Sequence, residues 1–237
     1  MTRLGAVAAL FARGQVIKVC GIREPEHGVA AAEAGADIIG FIFAPSRREV
    51  TAETARACLD AARQINPDIL ACGVFVNASG DEITDVVRDA GLDLVQLHGD
   101  EGAAFAASLP VPAMRVLRPK PGTSADAILE TIREYEEAMA APVAVMLDTF
   151  SVAAAGGTGE MLDWNLAAAV NAGTPVVLAG GLDPQNVAEA IAMVHPLGVD
   201  ASTGMEVDGR KSADLIHAFV GAARAAYAAE AAATLRS

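Results

Sequence analysis

The chain reads as an α/β protein folded as a single (β/α)8 TIM barrel, and three observations predict it. Eight short β-rich runs, at 16–20, 37–43, 69–76, 93–97, 113–117, 143–147, 175–178 and 198–200, alternate with Ala-rich helical stretches such as 27–34, 51–65, 82–90 and 184–194. No linker interrupts them, so residues 1–237 read as one domain, a length that suits a single large core. The composition is 53% hydrophobic but only 4% aromatic. Such a core of Ala, Val, Ile and Leu suits parallel strands buried on both faces beneath helices. Right-handed βα units build either an open doubly wound sheet or a closed barrel, and eight of them favour the barrel.

Taken in order, residues 1–14 form a short extension ahead of the first strand. Arg3 before an apolar run gives it a faint likeness to a secretory signal. The run is short, however, and strand-like sequence follows within a few residues. Thr51 stands where it can cap the helical run that follows, with Thr54 three places on. Asp183-Pro184 places a capping acid before a proline at the first helical position. Gly35 and Gly91 follow helical runs, where a left-handed residue is expected. The Ala-rich tail, 221–237, reads as the last helix, fraying towards Ser237.

Charge and cysteines exclude several classes. A net charge of −13 repels nucleic-acid backbones and anionic membranes, and so few aromatic residues leave no base-stacking surface. An anionic ligand must therefore be held by local dipoles and a few positioned cations. Cys20, Cys58 and Cys72 are odd in number, with no metal-type spacing, which argues for a reducing, cytoplasmic setting. No apolar run approaches the roughly 18 residues of a membrane helix.

In such barrels the chemistry sits at the C-terminal ends of the strands. Alternation in the first run puts Lys18 and Cys20 on one face and Ile17 and Val19 on the other, so the lysine and thiol point into the barrel mouth. Asp148 ends an unbroken apolar stretch, a setting that raises a carboxyl pKa. Each residue alone has a blander reading, as a small buried hydrophobe and as a turn former. Gly180-Gly181 follows the seventh run and Ser202-Thr203-Gly204 the eighth, where free backbone N–H groups make a phosphate site. Gln96 and His98 share a strand face at the end of the fourth run. Gly156-Gly157-Thr158-Gly159 lacks the third glycine of a dinucleotide fingerprint, and His27, His98, His195 and His217 are scattered. Neither cofactor nor metal is expected.

Lys18-Val19-Cys20-Gly21-Ile22, Gln96-Leu97-His98-Gly99, Leu147-Asp148-Thr149, Gly156-Gly157-Thr158-Gly159 with Asp163-Trp164, Gly180-Gly181-Leu182 and Asp200-Ala201-Ser202-Thr203-Gly204-Met205-Glu206 follow one another in register. Together they resemble the successive signatures of the phosphoribosylanthranilate isomerases of tryptophan biosynthesis, from about Ile17 to Lys211. The resemblance implies Cys20 as general base and Asp148 as general acid. It implies substrate contacts from His98, Gly180, Gly181, Asp200, Ser202, Thr203 and Gly204, and an arginine after the second strand that holds the anthranilate carboxylate. Aligning Ser46-Arg47-Arg48-Glu49-Val50 on its serine selects Arg48, with Arg47 the alternative, because this loop is one residue shorter than the family pattern.

The implied substrate is a small phosphosugar and the implied reaction an Amadori rearrangement, run by a monomer or homodimer. A thiol near pKa 8.5 is roughly one-tenth ionised near pH 7.5, and a modest depression by Lys18 or a nearby dipole is expected to help. Lifting an Asp from about 3.9 to about 6.5 takes on the order of 3.5 kcal/mol. The expected pH profile is a bell, with Cys20 or a substrate group on its acidic limb and Asp148 on its basic limb. The alternatives are another phosphosugar barrel, an epimerase whose metal-binding histidines are missing here, or a sensor that has lost its chemistry. Retention of both Cys20 and Asp148 argues against the sensor.

Overall fold

Side-chain alternation along the strands sorts the barrel into two apolar layers. In β1 (Val16–Cys20), Ile17 and Val19 pack outward against helices, while Val16 joins an interior cluster and Lys18 and Cys20 follow it on the inner face. The same division runs through β2 (Ile38–Ile42), β3 (Leu70–Phe75), β4 (Leu94–Leu97), β5 (Ala113–Leu117), β6 (Ala144–Leu147), β7 (Val176–Leu178) and β8 (Gly198–Ala201). The computed structural model describes residues 3–138, 144–148 and 163–234. Val143, Thr149 and the Gly156-Gly157-Thr158-Gly159 motif therefore lie outside the described residues. All eight strands pair in parallel and in chain order, and β8 closes on β1. Closure excludes the open sheet.

Helices α2 (Pro25–Ala34), α3 (Ala52–Ile65), α4 (Gly80–Ala90), α5 (Ala103–Ala107), α6 (Ala125–Ala138), α7 (Trp164–Gly173) and α8 (Val187–Val194) link successive strands, and α9 (Ala213–Thr234) closes the ring. Thr51 caps α3 by accepting from Thr54 N at 3.2 Å, and Gly35 and Gly91 end α2 and α4 in the left-handed conformation. Two boundaries differ from the sequence reading by three residues or more. Asp183 Oδ1 accepts from Gln185 N and Asn186 N, which holds Pro184 in a turn and delays α8 to Val187. The last helix begins at Ala213, well before 221, because Ile216, Phe219 and Val220 are already buried against the barrel. None of the described helices is long and apolar enough to cross a membrane.

The extension before the first strand is itself a helix, α1 (Arg3–Arg13), set against the N-terminal end of the barrel. Its buried Val7 and Phe11 join the interior cluster of Val16, Ile38, Leu70, Leu94, Met114, Met146 and Val177. The lower interior is thus solid and apolar. The upper interior holds the buried polar groups Lys18, Gln96 and Asp200, directly beneath the strand ends.

Candidate active site

Cys20 closes β1 with its side chain in the barrel mouth, 5% exposed. Lys18, two residues below on the same face, is 1% exposed and donates to Asp200 Oδ1 on β8 at 2.9 Å. Burial opposes the lysine's charge, but the Asp200 carboxylate and the thiols of Cys20 and Cys72 outweigh it, so Lys18 stays protonated. Gly40 on the neighbouring β2 makes room for this group: a Cβ there would lie 2.9 Å from Cys20 Sγ and 3.1 Å from Lys18 Nζ. The expected depression of the thiol does not hold. Burial lifts Cys20 above its usual value; Lys18 pulls the other way and loses, and Asp200 adds to the rise. Asp200 meets Lys18 inside the barrel, below the glycine loops.

Asp148 follows β6, three strands round the barrel from β1 by way of β8 and β7, so its carboxyl and the Cys20 thiol stand on different sides of one mouth. His98, just beyond β4, brings Nε2 to 3.6 Å from Asp148 Oδ2. Burial, together with the charges of Arg118, Lys18 and Arg115, pushes the His98 pKa down to about 4. Gln96 Nε2 lies 3.4 Å from His98 Nδ1. With the amide nitrogen as donor, Nδ1 accepts, the ring proton sits on Nε2, and His98 faces Asp148 as a neutral donor. The loop carrying it is fixed from below. Glu101 accepts from Gly99 N and Asn77 N and pairs with Arg115 at 2.9 Å.

The rim beside Cys20 is cationic. In the short loop after β2, Ser46 Oγ accepts from Arg48 N, and the turn aims two arginines at a single acid, Glu206. Arg48 is the inner one, with its side chain 16% exposed. It donates from Nε at 2.6 Å and from Nη2 at 2.9 Å to Glu206, and from Nη2 to Thr203 Oγ1 at 3.0 Å. Arg47, 56% exposed, makes one bond to the same carboxylate. Lys211, on the same carboxylate at 3.2 Å, also donates to Ser202 O at 2.7 Å. The glycine loops meet here. Gly180 and Gly181 have φ of +89° and +73°, and a Cβ on Gly204 would lie 2.1 Å from Leu182 O, so only glycine lets the loops after β7 and β8 touch.

Glu206 and Lys211 belong to this site although the sequence reading passed over both as site residues. One local signal was available. They sit on β9 (Glu206–Val207) and β10 (Arg210–Lys211), an antiparallel pair joined by Asp208-Gly209, the tight-hairpin dipeptide, with both φ values positive.

A closed barrel that brings a thiol, a carboxyl, an arginine and paired glycine loops to one mouth has the parts of a barrel enzyme for small anionic substrates. The family model for N-(5'-phosphoribosyl)anthranilate isomerase matches residues 17–222, and the chain belongs to that family. The isomerase of that name from Pseudomonas paraeruginosa is 43% identical over 210 residues, 88% of this chain and 94% of the relative. Its counterpart from Desulforudis audaxviator is 39% identical over 212 residues, 89% of this chain and 98% of the relative. Among solved structures, phosphoribosyl anthranilate isomerase from Thermotoga maritima superposes with a TM-score of 0.75 at 32% identity, covering 89% of this chain and 98% of its own. Another, at TM-score 0.73 and 31% identity over the same shares of the two chains, is a complex with reduced 1-(o-carboxyphenylamino)-1-deoxyribulose 5-phosphate.

Proposed function

We propose that this chain converts N-(5'-phosphoribosyl)anthranilate into 1-(2-carboxyphenylamino)-1-deoxyribulose 5-phosphate, with Cys20 as base and Asp148 as acid. Asp148 gives its proton to the ribose ring oxygen. The bond from that oxygen to C1' breaks as the anthranilate nitrogen lone pair forms a C=N bond. Cys20, as thiolate, takes the proton from C2', and those electrons neutralise the iminium to give an enolamine, which tautomerises to the ketone. Arg48 holds the ring carboxylate, and the backbone of Gly180–Gly181 and Ser202–Gly204 holds the phosphate, with Lys211 behind the loop and His98 beside the acid. Asp200 acts through Lys18. These steps need neither metal nor cofactor.

One observation carries the reading: Cys20 and Asp148 end strands on different sides of the mouth that Arg48 and both glycine loops border. A phosphosugar bearing an aryl carboxylate presents an anion at each end and the reacting carbons between. All these residues come from one chain, which suits a monomer or a homodimer, and a relative from Thermotoga maritima is dimeric. Three free, buried cysteines suit the cytoplasm, where we place it. The test is loss of substrate fluorescence on adding purified protein. Cys20→Ala and Asp148→Asn should each lower kcat by about 10²–10⁴-fold with smaller effects on KM. Wild-type protein that leaves the fluorescence unchanged sinks the assignment.

A further inference from the structure

We infer that Glu206 is a positioning residue for the reaction, which fixes Arg48 as a ready carboxylate clamp and ties that clamp to the phosphate loop. The inference rests on the roles proposed above for Arg48 and the loop. Glu206 has a side chain only 4% exposed, and it meets Arg48, Arg47 and Lys211. Burial works against its charge, yet the hydrogen bond from Arg48 and the charge of Lys211 hold its carboxyl down at about 2, so it is an anion at any working pH.

The geometry of the Arg48 contact matters more than its charge. A guanidinium offers two forks of paired donors, one along the Nε–Nη side and one at the tip. Glu206 occupies the side fork through Nε and Nη2, and Thr203 Oγ1 takes a further proton of Nη2. Nη1, with both of its protons, is left as the donor that a substrate carboxylate can meet. An arginine held this way has lost its rotamer freedom before the ligand arrives, so less binding energy is spent on ordering it. The same carboxylate holds Lys211, whose other bonds go to Ser202 of the loop after β8. Carboxylate clamp and phosphate loop touch across Gly21, where a Cβ would lie 2.9 Å from Arg48 Cδ and 3.0 Å from Ser202 Oγ.

A purely structural role would pin the β9–β10 hairpin and nothing else. The two roles part when ligands differ only at the carboxylate. The experiment measures inhibition by the reduced product analogue and by the same compound without its ring carboxylate, on wild type, Arg48→Ala, Glu206→Gln and Glu206→Asp, beside KM, kcat and Tm for the substrate. Wild type should prefer the carboxylated analogue by about tenfold or more, and Glu206→Gln should compress that preference to about threefold or less. KM should rise about tenfold while kcat stays within about threefold, the pattern of lost uniform binding. Glu206→Asp keeps the charge and should recover part of the preference, which also serves if the glutamine variant fails to fold. Equal weakening of both analogues, or an intact preference in either Glu206 variant, overturns the proposal. A wild type that ignores the carboxylate, or an Arg48→Ala variant that keeps the preference, instead removes the clamp itself, and the proposal falls with it by a different signature.

Discussion

Turnover in the mechanism above requires a thiolate and a carboxylic acid in the same molecule at the same moment. Burial raises the Cys20 thiol, and any carboxyl that titrates below it makes that combination a minor species at every pH. The profile of kcat/KM is still a bell, but its limbs exchange: the ascending limb follows the lower pKa, the carboxyl's, and the descending limb follows the thiol's. This reverses the limb order expected from the sequence, which reveals the lysine beside Cys20 but not the depth at which both are buried. Lys18 pulls the thiol down most strongly, ahead of Lys211. Lys18→Gln, which keeps a donor for Asp200, should therefore move the descending limb to higher pH, and kcat/KM near neutrality should fall by up to about tenfold per unit of movement. Alkylation of Cys20 by iodoacetamide across pH reads the same group directly; an unmoved thiol titration would show that Lys18 does not tune it. Cys20→Ser separates the thiol from His98. A hydroxyl keeps the shape but ionises too weakly to serve, and His98, with its pKa near 4 and its Nε2 aimed at Asp148, is placed as a neutral donor rather than a spare base. Activity of the serine variant should match that of Cys20→Ala; turnover near wild type would transfer the proton abstraction to another residue.

Among the elements, β2 and β4 begin with the same device. Gly35-Ala36-Asp37-Ile38 and Gly91-Leu92-Asp93-Leu94 each end a helix with a left-handed glycine and open a strand with an aspartate. Asp37 Oδ2 accepts from Ile17 N on β1 and Asp93 Oδ2 from Ala71 N on β3, so each acid bonds a neighbouring strand and each recruits arginines. Asp93, with a side chain 3% exposed, pairs with Arg63 at 2.7 Å; Asp37 pairs with Arg13 and Arg224, which are more exposed. Asp93→Ala leaves a half-buried cation and a buried N–H without their acceptor and should cost about 3–5 kcal/mol. Asp37→Ala should cost less, because its arginines can turn to water. Urea midpoints order the two, and equal losses would refute the argument from burial. These local devices show what a single sequence makes legible. Strand order, inward Lys18 and Cys20, the Thr51 cap and the glycine C-caps all follow from short-range pattern. Glu206 does not, because its partner Arg48 lies 158 residues away, and no local period reveals a contact made only when the barrel closes. The late start of α8 escaped for a related reason: Asp183 can cap a helix or a turn, and its bonds to Gln185 and Asn186 decide for the turn.

For the whole molecule, the barrel divides its labour along its axis, with chemistry at the C-terminal ends of the strands and stability at the other. The family match begins at residue 17, so α1 lies outside it, yet α1 contributes two side chains to the interior cluster. Val7 is fully buried and Phe11 7% exposed. Arg3 and Arg13 reach Asp93 and Asp37, joining the helix to the acids that open β4 and β2. Both arginines are more than half exposed, so the apolar pair carries most of the attachment. Burying one such side chain stabilises by about 1.5–3 kcal/mol, so the two together supply about 3–6 kcal/mol. Removing residues 1–14 uncovers the lower interior cluster and forfeits this stabilisation. At roughly 2–4 °C per kcal/mol for a chain of this size, Tm should fall by roughly 6–24 °C. Cys20, Asp148 and Arg48 stand at the far end of the strands, so kcat and KM measured well below the new Tm should stay within about twofold of wild type, as expected for a change that leaves transition-state contacts intact. Phe11→Ala in the full chain should give an intermediate Tm with the same kinetics. The division of labour fails if truncation lowers kcat at temperatures where the shortened barrel is fully folded, since the floor would then be setting the geometry of the mouth as well as holding the barrel together.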